Sequence, residues 1–229
     1  MPGRWIIMVA LGVLYGLFAQ AQTPVTVATY NIEWFTVSGD DCTGKPDADT
    51  RGNRIPRLQN VIAAMDADVI GLQEICDRTA LEAIFDPTQW TLVIDDDSGE
   101  LQDLAVAVRK PFTVAGARSM AVDTGDGHFL FPDNADNAPF PDRRDVLAIE
   151  IEVPDSAVNL WVLNVHLKSR APDRLETAPR RIAAAQRLVQ RLTRDFDQRA
   201  FVLLGDFNDT PDDASMNILE TGDLAQPFQ

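Results

Sequence analysis

The run Phe201-Val202-Leu203-Leu204-Gly205-Asp206-Phe207-Asn208-Asp209 carries a carboxylate and a carboxamide two residues apart at the end of an apolar stretch. On extended backbone, residues two apart face the same way, so Asp206 and Asn208 suit a hydrated Mg²⁺ or a water aligned on a phosphate. A second pattern, Asn164-Val165-His166-Leu167-Lys168, alternates polar with apolar side chains. One face of one strand then offers an amide, an imidazole and an ammonium, which suit a phosphoryl oxygen and the charge it gains in a transition state. Such a face could not be buried unpaired without a large cost. Glu74 closes an apolar stretch over residues 68–74, and Asn31 and Glu33 follow a β-branched stretch over residues 25–30. Taken singly, each pattern also fits a solvated turn or a polar edge strand. Four of them at strand ends carry the argument together.

The elements that must position these groups alternate along the chain. Residues 25–30 read as a strand, and a helix follows from about residue 51, with Ile55, Leu58, Ile62 and Met65 on one face and Thr50 as its N-cap. Residues 68–74 read as a strand, 78–85 as a helix, and 90–94, 104–108 and 112–117 as strands. The acidic run over residues 95–100 reads as a solvated turn and lacks calcium-loop spacing. Residues 123–141, rich in Gly, Asn, Asp and Pro, form a long polar loop that Arg143 and Arg144 close. Strands over 146–153 and 158–167 come next, then a helix over 178–196 with Ile182, Ala185, Val189, Leu192 and Phe196 on its buried face. Gly205 lets the backbone turn out of the following strand, and Thr210-Pro211 opens a last helix with Thr210 as N-cap.

A chain of 229 residues with 45% hydrophobic content suits one domain with a substantial core, and no repeat or linker divides it. Residues 1–21 differ from the rest: Arg4, an uncharged apolar run over 5–18, then Ala19-Gln20-Ala21. They read as a secretory signal cleaved before Gln22, giving a secreted or periplasmic protein, the alternative being an uncleaved anchor. The formal charge of −15, which becomes −16 once Arg4 leaves with the signal, excludes a module that coats nucleic acid by bulk attraction. An enzyme acting on phosphates stays open, because a bound divalent cation reverses the local field. Cys42 and Cys76 are expected to pair as a disulfide in an oxidising compartment, the alternative being two unrelated thiols. Only His128 and His166 supply imidazoles, no zinc-type spacing exists, and His128 in the polar loop reads as incidental.

The stretches Thr29-Tyr30-Asn31-Ile32, Ile70-Gly71-Leu72-Gln73-Glu74, Asn164-Val165-His166-Leu167-Lys168-Ser169 and Leu204-Gly205-Asp206-Phe207-Asn208 stand in this order. Their order and wording resemble the endonuclease/exonuclease/phosphatase (deoxyribonuclease I-like) family across residues 22–229. The resemblance implies an α/β fold, a four-layer αββα sandwich of two mixed β-sheets with the site at one end. Carried over by position, Glu74 becomes the principal ligand of Mg²⁺, or of Mn²⁺ or Ca²⁺, with Asn31 beside it. Asp206 and Asn208 orient the nucleophilic water and the phosphate or help bind metal, and His166 polarises the phosphate with support from Asn164 or Lys168. Arg143 or Arg144 is a weaker phosphate contact, and Glu33 lies outside the match.

Family members end with a Ser-Asp-His motif on a late strand, and this sequence, which stops at Gln229, has none. The expectation is therefore a C-terminally incomplete domain, a piece of a longer protein, with a shortened and inactive member as the alternative. The expected function is hydrolysis of phosphodiester bonds with nucleic acid as the favoured substrate. A phosphomonoesterase, a sphingomyelinase-like phospholipase, and a protein that only binds a phosphate ligand or another protein are the competing readings.

Overall fold

The computed structural model describes residues 23–37, 54–95, 102–119 and 146–224. The signal over residues 1–21, Cys42, Thr50, His128, Arg143 and Arg144 and the tail from residue 225 lie outside the described residues. The elements are β1 (Val27–Phe35), α1 (Arg54–Met65), β2 (Val69–Ile75), α2 (Arg78–Ile84), β3 (Trp90–Ile94) and β4 (Asp103–Arg109). They continue as β5 (Thr113–Ser119), β6 (Val146–Glu152), β7 (Leu160–His166), α3 (Arg174–Phe196), β8 (Ala200–Asp206) and α4 (Ala214–Thr221).

The strands form two mixed sheets of four, ordered β1-β2-β4-β3 and β5-β6-β7-β8. In each sheet one parallel pair, β1/β2 or β7/β8, is joined to antiparallel partners. The parallel pairs need crossovers, and the helices α1 and α3 supply them. Alternation then sorts the side chains into layers. Val69, Val106 and Val108 of the first sheet meet Leu147, Ile149, Ile151, Val162 and Leu204 of the second. On the outer faces, Ile70, Leu72 and Ala105 pack under Leu58, Ile62, Leu81 and Ile84, while Ala148, Leu163 and Val165 pack under Ala184, Leu188 and Phe196. The result is the expected four-layer αββα sandwich. Among the described residues no helix is long and apolar enough to cross a membrane.

Two glycines set how closely backbones approach. A Cβ on Gly71 would lie 2.2 Å from Leu204 Cδ1 and 3.2 Å from the Asn164 amide, so its absence lets the two sheets meet near the site. Gly205 has φ +143°, and a Cβ there would lie 2.0 Å from Val165 O. Gly205 does not end the strand as expected: β8 runs through it to Asp206, which pairs with His166 in register.

Three other expectations change. The third helix starts four residues earlier than its periodicity suggests, because Asp173 caps it by accepting from the N–H groups of Leu175 and Glu176. Its buried residues are Thr177, Arg181, Ala184, Ala185, Leu188 and Phe196: Ala185 and Phe196 fall on the expected stripe, whereas Ile182, Val189 and Leu192 are only partly buried and an arginine lies in the buried line. Thr210 is not the cap of the last helix; Asp213 occupies that position, and its carboxylate accepts instead from the N–H and hydroxyl of Thr210.

Candidate active site

The inter-sheet layer is apolar along most of its length and turns polar at one end. There Thr29, Gln73 and Asn164 form a buried floor: Gln73 Nε2 donates to Asn164 Oδ1 at 2.6 Å and to Thr29 Oγ1 at 3.0 Å. Asn164 Nδ2 donates to Leu72 O at 2.8 Å and Ala105 O at 3.0 Å. The ladder between β2 and β4 shifts register between Leu72 and Ile75, and the Asn164 amide serves the carbonyls beside that irregularity. This corrects the reading of Asn164 as a phosphate contact. It is fully buried with both amide hydrogens and its oxygen committed, so it braces the two sheets.

Above the floor stand Asn31, Glu74, His166 and Asp206, two from each sheet. Asn31 Nδ2 donates to Glu74 Oε1 and to Asp206 Oδ2, at 2.9 Å each, so one carboxamide bridges two carboxylates from opposite sheets. His166 Nε2 lies 3.6 Å from Glu74 Oε1 and 4.0 Å from Asp206 Oδ2, with the imidazole 3% exposed, Glu74 14% and Asp206 30%. The site is therefore open on the Asp206 side and closed behind His166.

Local backbone irregularities aim these groups. Glu74 has φ 63°, and Glu33 and Trp34 have φ 53° and 51°. All three lie where the ladders of β1 and β2 shift register. Left-handed backbone at non-glycine residues costs energy and persists where surrounding contacts hold it. Arg54 supplies some of those contacts, its Nη2 donating to Ile32 O and Glu33 O. Asn31 Oδ1 accepts from Glu33 N, and Glu33 itself is exposed; the simple alternation that put Asn31 and Glu33 on one face does not survive the bulge.

The second sheet is similarly specific. Asn208 lies beyond β8 with φ 54°, so it does not extend the Asp206 face as two-residue spacing on a strand implied. Its N–H donates to Asp206 Oδ1 at 2.8 Å and its Nδ2 to Leu167 O at 2.9 Å, which makes it a brace for Asp206. Lys168 likewise leaves the line of Asn164 and His166: β7 ends at His166, and Lys168 Nζ donates to Ser169 Oγ and Ala171 O. Of the residues expected at the centre, the fold brings together Asn31, Glu74, His166 and Asp206, holds Asn208 behind Asp206, and diverts Asn164 and Lys168.

A second polar cluster, which sequence reasoning missed, lies directly behind the centre. Arg170 Nη2 and Arg174 Nη2 both donate to Asp213, and buried Arg181 lies with Nε 2.8 Å from Asp209 Oδ1. Burial pulls the Asp213 carboxyl upward, but the N–H and hydroxyl of Thr210 and the Arg174 guanidinium outweigh it and hold the group down at about 2. The only available signal was Asp209 and Asp213 following Asn208 closely, with arginines at 170, 174 and 181.

A divalent cation fits the donor set of the centre. Among the described residues no group of three or more His, Cys, Asp or Glu is arranged to hold a metal by itself. Two carboxylates on one side of an oxygen-rich, partly open site are nevertheless what Mg²⁺ takes when water and substrate phosphate complete its shell. Glu74 would be such a ligand with Asp206 beside it, the two carboxylates sharing the Asn31 amide donor.

The sequence model of the Endonuclease/Exonuclease/phosphatase family matches residues 28–227. No curated protein was found to match the sequence. Among solved structures, D. rerio TDP2 complexed with single strand DNA product is similar at TM-score 0.60 and 16% identity, with 86% of this chain and 64% of that one covered. The human nocturnin catalytic domain with bound sulfate anion gives TM-score 0.60 and 14% identity over 75% of this chain and 63% of that one. An endonuclease/exonuclease/phosphatase family protein from Bacteroides thetaiotaomicron gives 0.62 and 19% over 88% and 69%. The chain thus spans less than two thirds of the TDP2 and nocturnin chains it matches.

Proposed function

The chain belongs to the endonuclease/exonuclease/phosphatase family, whose members are hydrolases of phosphoester bonds, and from that premise we propose a secreted, Mg²⁺-dependent phosphodiesterase that cuts nucleic acid. The observation that carries the reading is the Asn31 amide bridging Glu74 and Asp206 at 2.9 Å each, beside the His166 imidazole. Two carboxylates that share one amide donor present the oxygen ligands a divalent cation takes. When bound, that cation would withdraw charge from the phosphate and from the departing oxygen. Glu74, the more enclosed carboxylate, would hold it, with Asn31 orienting the pair.

Asp206 is the more open carboxylate, and its Oδ1 and Oδ2 are each steadied by one N–H, from Asn208 and Asn31. It orients the attacking water and takes its proton as the oxygen–phosphorus bond forms in line with the departing ester oxygen. His166 Nε2, when it carries a proton, donates to a phosphoryl oxygen and so meets the charge of the transition state. The DNA product held by one structural neighbour supports nucleic acid as the substrate. Export rests on residues 1–21, and a Cys42–Cys76 disulfide accords with the absence of a free cysteine among the described residues.

The test is hydrolysis by the exported protein of single- and double-stranded DNA, RNA, a phosphomonoester and sphingomyelin, each with Mg²⁺ and with chelator. Metal-dependent cleavage of DNA or RNA is the expected result. Exclusive turnover of the monoester or the lipid would replace the substrate assignment, and binding without turnover of any of them would refute the enzyme. A mature N-terminus at Gln22 and a nonreduced mass two hydrogens below the dithiol are expected from the same preparation.

A further inference from the structure

We propose that Arg181 and Asp209 act as positioning residues, a buried clamp that ties the exits of β7 and β8 together and so keeps His166 and Asp206 in register. The proposal rests on the phosphoesterase reading for its kinetic consequence, although its geometric consequence can be measured without it.

Arg181 is fully buried on α3, in line with Ala184, Ala185 and Leu188. Its Nε lies 2.8 Å from Asp209 Oδ1, three residues past Asp206. Its Nη1 donates to Lys168 O at 3.2 Å, Ser169 O at 3.4 Å and Thr177 Oγ1 at 2.9 Å, and its Nη2 donates to Arg174 O at 3.3 Å. Asp209, with its side chain 4% exposed, pairs with Arg181 by charge through Oδ1 and accepts from Ser215 Oγ at 2.5 Å through Oδ2. One guanidinium therefore touches the exit of β7, the first turns of α3 and the exit of β8, and Asp209 carries the connection to α4.

These exits are laced directly beneath the centre. Leu167 N donates to Asp206 O at 2.9 Å, Asn208 Nδ2 returns to Leu167 O, and Asn208 N meets Asp206 Oδ1. Arg170 Nε donates to Asn208 O at 2.8 Å and its Nη2 to Asp213, adding a second, more exposed tie to the same turn. The Asn208 turn is left-handed, and the Arg181–Asp209 pair is anchored at its next residue. Loss of the pair frees that turn and with it the donor to Asp206 Oδ1.

Stability alone does not account for the pair. Removing two charges from water is expensive, and well-packed apolar side chains of similar volume hold a fold together as well or better. An apolar pair at 181 and 209 could fill the space next to Ala184 and Leu188 but could not direct donors to the carbonyls of Lys168 and Ser169. Directional anchoring of supporting groups is what sets the geometry of a reacting carboxylate.

The experiment uses Arg181→Met with Asp209→Leu, which removes both charges together and leaves neither buried alone. The second variant, Arg181→Lys, keeps the charge but loses the fork. In the folded double variant kcat should fall about 10–100-fold with KM changed less than about threefold, the size expected for loss of outer-shell support. Exchange of the Asn208 amide proton should accelerate at least about tenfold, since its bond to Asp206 is then intermittent. Arg181→Lys should move both readouts the same way. If either folded variant keeps wild-type kcat and wild-type Asn208 protection, the clamp is wrong. If the wild type hydrolyses no phosphate ester, the functional reading fails instead, and Asn208 exchange alone decides the clamp: faster exchange sustains it and unchanged exchange overturns it.

Discussion

Two clusters of carboxylates stand within eight residues of each other on the segment from Asp206 to Asp213, and they are balanced in opposite ways. Asp209 and Asp213 meet three guanidiniums, those of Arg170, Arg174 and Arg181. Asp206 and its counterpart Glu74 share one neutral amide, with an imidazole at 3.6 and 4.0 Å. A cluster supplied with its own permanent cations stiffens a turn. A cluster joined by a neutral amide offers the oxygen donors that the proposed divalent cation would take. Under the proposed function the chain separates carboxylates that hold shape from carboxylates that would bind, and substitutions in the two should respond differently to metal and to pH.

The largest contrast is expected from Glu74→Gln. It should reduce hydrolysis by about a thousandfold or more, as loss of a charge that stabilises a transition state does, and weaken Mg²⁺ binding measured by calorimetry. It should leave the thermal midpoint in chelator equal or higher, because a like-charge neighbour of Asp206 is removed. A large loss of stability in chelator would mean that Glu74 is as structural as Asp209, and the contrast would collapse. Next is Asn164→Ala, which strips three hydrogen bonds from the floor and should cost about 2–4 kcal/mol in urea unfolding. KM of the surviving folded protein should change little; a selective rise in KM would return Asn164 to the phosphate.

Asn31→Ala sharpens the comparison from the binding side. Two partly buried carboxylates lose their shared donor, for a cost of about 1–2 kcal/mol at neutral pH. Saturating Mg²⁺ should recover most of that loss, and a deficit that metal leaves unchanged would speak against a cation between Glu74 and Asp206. An effect of similar size is expected of Asp213→Asn, with a loss of about 1–2 kcal/mol at pH 7 after allowance for the partly open Arg174. The folded carboxyl is held at about 2, below its ordinary value of 3.8. Its contribution is therefore fully present above about pH 4 and is lost as pH falls from there through about 2. Urea midpoints of wild type and variant should converge over that window; parallel curves would deny the arginines their role.

Much of this was legible because it depends on periodicity. The strand over residues 90–94 and the apolar stretches that became β2, β6, β7 and β8 follow from side-chain alternation and β-branched content. The end-of-strand position of Glu74, His166 and Asp206 follows with them. What failed did so where a contact from far along the chain overruled local pattern. Asn164 looked identical in kind to His166, two residues on, yet one meets the carbonyls of Leu72 and Ala105 and the other stands beside the carboxylates of Glu74 and Asp206. Arg181 was not singled out, because no rule of periodicity anticipates an aspartate arriving from the end of another strand.

The sequence by itself determined the element order, since that depends on local alternation, and it offered Asn31, Glu74, His166 and Asp206 as candidates through their chemistry and the family resemblance, which also implied the layers. Tertiary structure alone decided that the Asn31 amide would reach carboxylates 43 and 175 residues away, and that Asn208 would turn back to brace Asp206. It also decided that Asn164 would close a floor. Those outcomes depend on register between strands, on left-handed turns at Glu74 and Asn208, and on the close approach allowed at Gly71 and Gly205, none of which a residue's own neighbours in the chain can set.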